Sequence, residues 1–170
     1  MSQRIYVAIP YTNVEELSFK MANRASYELI KLGHIPLSPI SMSHPIVEQS
    51  KTDENYTDEL LGTWEVWSTI DYSFIDWCDE IWVVEMSKDA IQGSTGVKAE
   101  LEYAKKLGKA VRTIKVNYTG EGEDLNWTFK FPKVKGFRSN ARIHAENIVG
   151  KVFSCDAELD AVELVEEILS

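Results

Sequence analysis

Two carboxylates interrupt apolar helical stripes, and they are the residues of this chain best suited to chemistry. In the first stripe Leu60, Trp64, Trp67, Phe74, Ile75 and Cys78 recur at helical spacing, and position 71 among them is Asp. Asp71 lies four residues after Trp67 and seven after Trp64, so it shares their face. An ionised carboxylate there must be hydrogen-bonded, paired or turned to a cavity. Two readings stand: a capping or paired structural acid at the edge of the stripe, or a site residue. In the second stripe Val97, Leu101, Ala104 and Leu107 mark the inner face, and Glu100 points inward with them. Its neighbours at four-residue spacing are Gly96 and Ala104, which cannot pair with it. That weakens the reading of Glu100 as a surface acid in an ion pair. An inward carboxylate can attack an electron-poor carbon covalently or stabilise positive charge building on it.

The helix that carries Glu100 opens with Gly93-Ser94-Thr95-Gly96. Small residues let a ligand approach the backbone closely, and the free N–H groups of a helix start suit an anion. The pattern describes a phosphate-sized pocket with a carboxylate one turn deeper. The plainer alternative for Ser94 is a simple helix cap.

The elements that must position these residues read as alternating strands and helices. Ile5 to Ile9 is an apolar, β-prone run, and Pro10-Tyr11-Thr12-Asn13 breaks it and offers a cap to the next helix. Val14, Leu17, Met21, Ala25 and Leu29 recur at helical spacing, with Glu15 and Glu16 in the first turn and Gly33 as the stop. Ile35 to Leu37 is a second strand, closed by Ser38-Pro39, and Ile40 to Asn55 reads as a loop. A long helix follows from Tyr56 to Asp76, then a third strand from Glu80 to Met86 and a polar loop from Ser87 to Gly93. Ser94 to Leu107 is the Glu100 helix, and Ala110 to Val116 is a fourth strand. The series predicts an α/β fold, a single doubly wound and mainly parallel sheet with flanking helices. In such a sheet the Ser94 loop lies beyond the carboxyl end of a strand, where ligands bind. Trp127 to Phe131 is a candidate short strand, and Asp156 to Leu169 an amphipathic helix with an acidic outer face.

Composition narrows the function classes. The chain of 170 residues fits one domain over 1–170, and its 44% hydrophobic content is that of a globular protein. A net charge of −9 argues against a nucleic-acid polymer as partner, yet a single phosphate can be held by backbone N–H groups alone. No apolar run reaches the roughly 20 residues needed to span a membrane. Met1-Ser2-Gln3-Arg4 runs straight into a strand without a secretory leader, so a cytoplasmic setting is expected. Cys78 and Cys155 lack metal or redox spacing, and Cys78 reads as a buried thiol. No His/Cys/Asp cluster stands at metal spacing, and no metal or other cofactor is expected. The tryptophans at 64, 67, 77, 82 and 127 read as core or interface residues, with base stacking by Trp64 or Trp67 as the alternative.

Taken in order, these segments resemble the nucleoside 2-deoxyribosyltransferase-like superfamily. Ile5-Tyr6-Val7-Ala8-Ile9-Pro10-Tyr11 resembles its first strand and loop. Ser38-Pro39-Ile40-Ser41-Met42-Ser43-His44-Pro45 resembles the second-strand loop of a bacterial and phage branch. Asp71 with Cys78-Asp79-Glu80-Ile81-Trp82-Val83-Val84 resembles the helix and strand before the active-site loop. Ser94-Thr95-Gly96-Val97-Lys98-Ala99-Glu100 resembles the signature loop and is closest to that of 2′-deoxynucleoside 5′-phosphate N-hydrolases. The match spans residues 4 to 116 and leaves 117 to 170 as a C-terminal extension and helix. The branch commonly carries Trp three residues before the loop Ser, where this chain has Ile91.

The resemblance implies roles. Glu100 takes the place of the glutamate that attacks the anomeric carbon of the sugar and displaces the base. Tyr6 matches the tyrosine that positions that glutamate, and Asp71 the acid that contacts base or sugar. Transferases acting on free nucleosides tend to have Asp six residues before the glutamate, whereas hydrolases of nucleoside monophosphates tend to have Ser. Ser94 stands there, and a hydroxyl can donate to a phosphate that an Asp would repel. The expected substrate contacts are Ser94, Thr95, Gly96, Pro10, Tyr11, Ser41 and His44, with a surface role for His44 as the alternative. The expected activity is cleavage of the N-glycosidic bond of a nucleoside 5′-monophosphate by an ionised Glu100, in a homo-oligomer. The alternatives are sequestration of a nucleotide-derived signal without turnover, base exchange between nucleosides, and a structural subunit with a Trp-rich interface.

Overall fold

The structure is a computed structural model that describes residues 2–52, 63–119 and 126–132. Among the described residues, five strands and five helices follow one another as β1 (Arg4–Ala8), α1 (Glu15–Lys31), β2 (Ile35–Leu37), α2 (Pro39–Thr52), α3 (Trp64–Trp77), β3 (Glu80–Glu85), α4 (Lys88–Gly93), α5 (Thr95–Lys106), β4 (Ala110–Thr119) and β5 (Asn126–Lys130). The strands form one sheet in the order β2-β1-β3-β4-β5. The first four are mutually parallel, and β5 runs antiparallel to β4. This is the expected α/β architecture with an antiparallel edge added. Among the described residues no helix is long and apolar enough to cross a membrane. The expected helix over 156–169 and the first turns of the helix expected from Tyr56 lie outside the described residues.

The two-residue period of the strands sorts the core into two layers. Ile5, Val7 and Ile9 face one side with Trp82, Val84 and Ile114, and pack on Met21, Ala22, Ala25 and Leu29 of α1. Tyr6 and Ala8 face the other side with Ile81 and Val83, and pack on Ile75, Cys78, Val97 and Ala104. Cys78 is a buried free thiol, as its apolar setting predicts. Because β1 and β3 are covered on both faces, they read as nearly unbroken apolar runs.

Two segments expected to be loops are helices. Pro39 starts α2 at a position where its missing N–H costs nothing, and the Ser38 hydroxyl accepts from Ser41 N at 3.3 Å. Pro45 lies inside α2 and removes one helical hydrogen bond, which breaks the sequence pattern. Packing against α1 holds the helix despite it. The shorter α4 occupies the expected polar loop, and Ser87 caps it by accepting from Ala90 N at 3.0 Å. Ser94 ends α4 and caps α5, so one residue joins the two helices.

Candidate active site

β1 and β3 are neighbours in the sheet but lead in opposite directions, to β2 on one side and β4 on the other. The crevice at such a switch point is where open α/β sheets hold ligands. A cleft of about 670 Å³ lies there, within the range of small-molecule sites. Its walls come from four places. The loop after β1 gives Pro10, Tyr11 and Asn13; α2 gives Ile40, Ser43, Val47 and Lys51; α3 gives Trp64, Trp67 and Asp71; and the α4–α5 junction gives Ser94, Thr95, Gly96 and Glu100.

Glu100 stands in the second turn of α5 and is 7% exposed, while Asp71 on α3 is 5% exposed. Tyr6, fully buried in β1, donates from its hydroxyl to Glu100 Oε1 at 2.9 Å. Glu100 Oε2 and Asp71 Oδ1 are buried and have no hydrogen-bond partner among the described residues. Both acids line the cleft, so these oxygens are placed to meet a ligand. The paired or capping reading of Asp71 finds no partner for Oδ1 among the described residues.

Burial pushes the Asp71 carboxyl up to about 7. Burial also pushes Glu100 up to about 8, helped by the nearby Asp71 charge and opposed by the Tyr6 hydrogen bond. For Glu100, burial and the Asp71 charge thus work against the ionised state expected from sequence, and the Tyr6 hydrogen bond works for it. Burial, then the Glu100 and Asp71 charges, raise Tyr6 well above the usual phenol range. Tyr6 thus keeps its proton and remains a donor to Glu100 at any working pH.

The Ser94 hydroxyl accepts from Val97 N at 3.3 Å, so the plain capping role is real. Its own proton stays available to a ligand. Gly96 does more than admit a ligand: a Cβ there would stand 3.2 Å from Cζ3 of Trp64. The missing side chain lets the indole pack on the start of α5. The cap expected from Pro10 to Asn13 has another form. Val14 is the N-cap without a side-chain bond, and Asn13 adopts φ +68° while donating its N–H to Glu15 Oε1 at 2.9 Å.

Of the expected contacts, Pro10, Tyr11, Ser94, Thr95 and Gly96 line the cleft and Tyr6 supports it from beneath. Ser41 and His44 are not on its walls. The reason is the helical period of α2, which puts Ile40, Ser43, Val47 and Lys51 on one face. Ser41 lies in the first turn, and its hydroxyl is buried without a hydrogen-bond partner among the described residues. His44 is 6% exposed and stacks on Phe19 of α1. Reading this segment as a loop hid Ser43 and Lys51; Ser38-Pro39, a cap followed by a first-turn proline, was the available signal.

Residues 3–116 match a family model described as a domain of unknown function, DUF1937. No curated protein matches the chain. Among solved structures, a 2-deoxyribosyltransferase from the psychrotolerant bacterium Bacillus psychrosaccharolyticus is similar at 24% identity, covering 66% of this chain and 72% of that one with a TM-score of 0.45. The model match runs from the start of β1 into β4 and takes in Tyr6, Asp71, Ser94 and Glu100. The chain belongs to the DUF1937 family.

Proposed function

We propose that this protein cleaves the N-glycosidic bond of a nucleoside 5′-monophosphate, with Glu100 as nucleophile and Asp71 as its partner acid. The observation that carries the reading is the buried pair of acids, each with an unpartnered oxygen, at the switch point between β1 and β3. Burying two acids beside one another is costly, and a site that must meet a developing positive charge offsets that cost. Such a charge arises at the anomeric carbon as the base departs.

In this mechanism an Oε electron pair of Glu100 forms a bond to the anomeric carbon as the carbon–nitrogen bond breaks. The electrons of that bond leave with the base, which takes a proton from Asp71. Water then attacks the glycosyl ester, passing a proton to Asp71 and freeing Glu100 and the sugar phosphate. The two raised pKa values suit a pair that exchanges one proton near neutrality. Tyr6 favours the ionised form of Glu100. For the phosphate, donors on the cleft include the Ser94 hydroxyl, the backbone N–H groups that open α5 and Lys51, whose ammonium also pairs with Glu48 at 2.6 Å. Base exchange would use the same first half and a second base in place of water. The motif resemblance to monophosphate hydrolases supports water.

A second reading, nucleotide binding without turnover, draws on the burial of Glu100, which favours its neutral form, since a neutral carboxyl can donate to a ligand. Incubation with ribo- and deoxynucleoside 5′-monophosphates and the matching nucleosides separates the two. Base release from a monophosphate that Glu100→Gln abolishes supports the hydrolase. Tight retention of a nucleotide by both proteins with no base released would overturn it in favour of the binder.

A further inference from the structure

His44 lies behind the cleft wall, and its two ring nitrogens have different partners. Nδ1 is 2.8 Å from the hydroxyl of Tyr11, which lines the cleft, and Nε2 faces Oε2 of Glu16 on α1 at 3.6 Å, an electrostatic contact, longer than a hydrogen bond, to an exposed carboxylate that also pairs with Lys20 at 3.1 Å. The ring stacks on Phe19, with centroids 4.3 Å apart and planes at 25°. A neutral imidazole carries one proton. If Nδ1 held it, the lone pair of Nε2 would face the Glu16 carboxylate, which is repulsive. With the proton on Nε2, that nitrogen presents a donor to Glu16, and Nδ1 accepts from Tyr11. The loop backbone is fixed independently. The Ser18 hydroxyl bonds the Pro10 carbonyl, and Val14 N donates to the Tyr11 carbonyl at 3.1 Å.

We infer that Glu16 and His44 act as a positioning relay that commits the Tyr11 hydroxyl to donate into the protein, so that Tyr11 meets the ligand only as a hydrogen-bond acceptor. The inference rests on the proposed nucleotide site for its ligand and on geometry alone for its tautomer. An acceptor-only hydroxyl selects a ligand donor, either a sugar hydroxyl or an exocyclic amine of the base. It turns away a carbonyl in the same place. His44 is thus a positioning residue, and Tyr11 the contact whose polarity it sets.

Two measurements test this. Nitrogen NMR of the ligand-free protein at mildly alkaline pH reads the ring tautomer directly. A protonated Nε2 and bare Nδ1 are expected, and a protonated Nδ1 overturns the relay whatever the protein binds. In the second, binding is measured in the Glu100→Gln background, where turnover does not intervene. The ligands are paired monophosphates differing by one group: ribose against deoxyribose, and amino against oxo bases. Tyr11→Phe and His44→Phe, which keeps the ring stack, should each lose about tenfold affinity for one member of a pair and leave the other nearly unchanged. His44→Asn, whose Oδ1 replaces the Nδ1 acceptor, should recover most of the preference. The pair affected distinguishes sugar from base as the source of the donor. Equal losses across every pair would reduce His44 to packing and overturn the inference. If no monophosphate binds the parent protein, the function reading falls and the ligand half of this inference with it, while the tautomer result stands.

Discussion

Tyr6 and Glu100 stand 94 residues apart in the chain and meet across 2.9 Å in its interior, the phenol donating to Oε1. This contact favours the ionised form of Glu100, against burial and the Asp71 charge. Tyr6→Phe removes the donor and keeps the ring in its core layer. A hydrogen bond to a charged group contributes about 1.5–3 kcal/mol, so base release should fall by about 10- to 100-fold. The rising limb of the pH–rate profile should also move to higher pH, because Glu100 then ionises less readily. A loss of rate with no movement of that limb would place the role of Tyr6 in packing.

The raised pKa values of Asp71 and Glu100 make a second prediction, on stability. Their folded-state values of about 7 and about 8 lie above the ordinary carboxylate range of the unfolded chain. Between those limits the native protein holds protons that the unfolded chain has released, so stability falls as pH rises. Below the unfolded pKa both states are protonated and the penalty vanishes. Glu100→Gln and Asp71→Asn remove it. Each should raise the thermal midpoint relative to wild type at pH 8.5, by on the order of 5 °C, and by clearly less at pH 5. A gain that is the same at both pH values would mean that the acids are not the source.

How far the sequence revealed this arrangement depends on the kind of pattern involved. Glu100 was legible because Val97, Leu101, Ala104 and Leu107 define an inward face that it shares; the face is buried at Val97, Glu100 and Ala104, half-buried at Leu101 and exposed at Leu107, where the helix ends. The same logic reached Asp71 from Trp67 and Ile75. β1 and β3 were legible as apolar runs because both sheet faces are covered. α2 was hidden because Pro45 interrupts it and tertiary contacts with α1, such as Phe19 on His44, supply what its local propensity lacks. That one loss misplaced His44 and concealed Lys51. The direction of β5 was not legible either, since alternation in Trp127 to Phe131 says nothing about which way a strand runs.

Gly96 gives a third prediction. Alanine there favours the helix by about 1 kcal/mol, but its Cβ meets Trp64 at 3.2 Å. Trp64 lines the cleft and meets Tyr72 edge-on, with centroids 6.3 Å apart. The indole must shift by a few tenths of an ångström, and the ligand surface shifts with it. Gly96→Ala should leave thermal stability within about 1 kcal/mol of wild type while weakening nucleotide affinity several-fold. Calorimetric binding beside a melting curve separates the two effects. Unchanged affinity would show that Trp64 does not touch the ligand.

Ser94 gives the last prediction, because its two roles can be separated by substitution. Its oxygen caps α5 through Val97 N, and its proton is the part free to reach a phosphate. Asp is as good a cap as Ser, so Ser94→Asp should retain stability while placing a negative charge where a phosphate dianion would sit. Affinity for nucleoside monophosphates should fall at least tenfold, and affinity for the matching nucleosides should hold or rise. Ser94→Ala loses cap and donor together; it should cost about 1 kcal/mol in stability and weaken monophosphates without favouring nucleosides. The ratio of the two ligand affinities, measured for both variants, isolates charge from capping. If Ser94→Asp weakens both ligand classes equally, the start of α5 does not hold the phosphate, and Lys51 on the opposite wall becomes the residue to replace next.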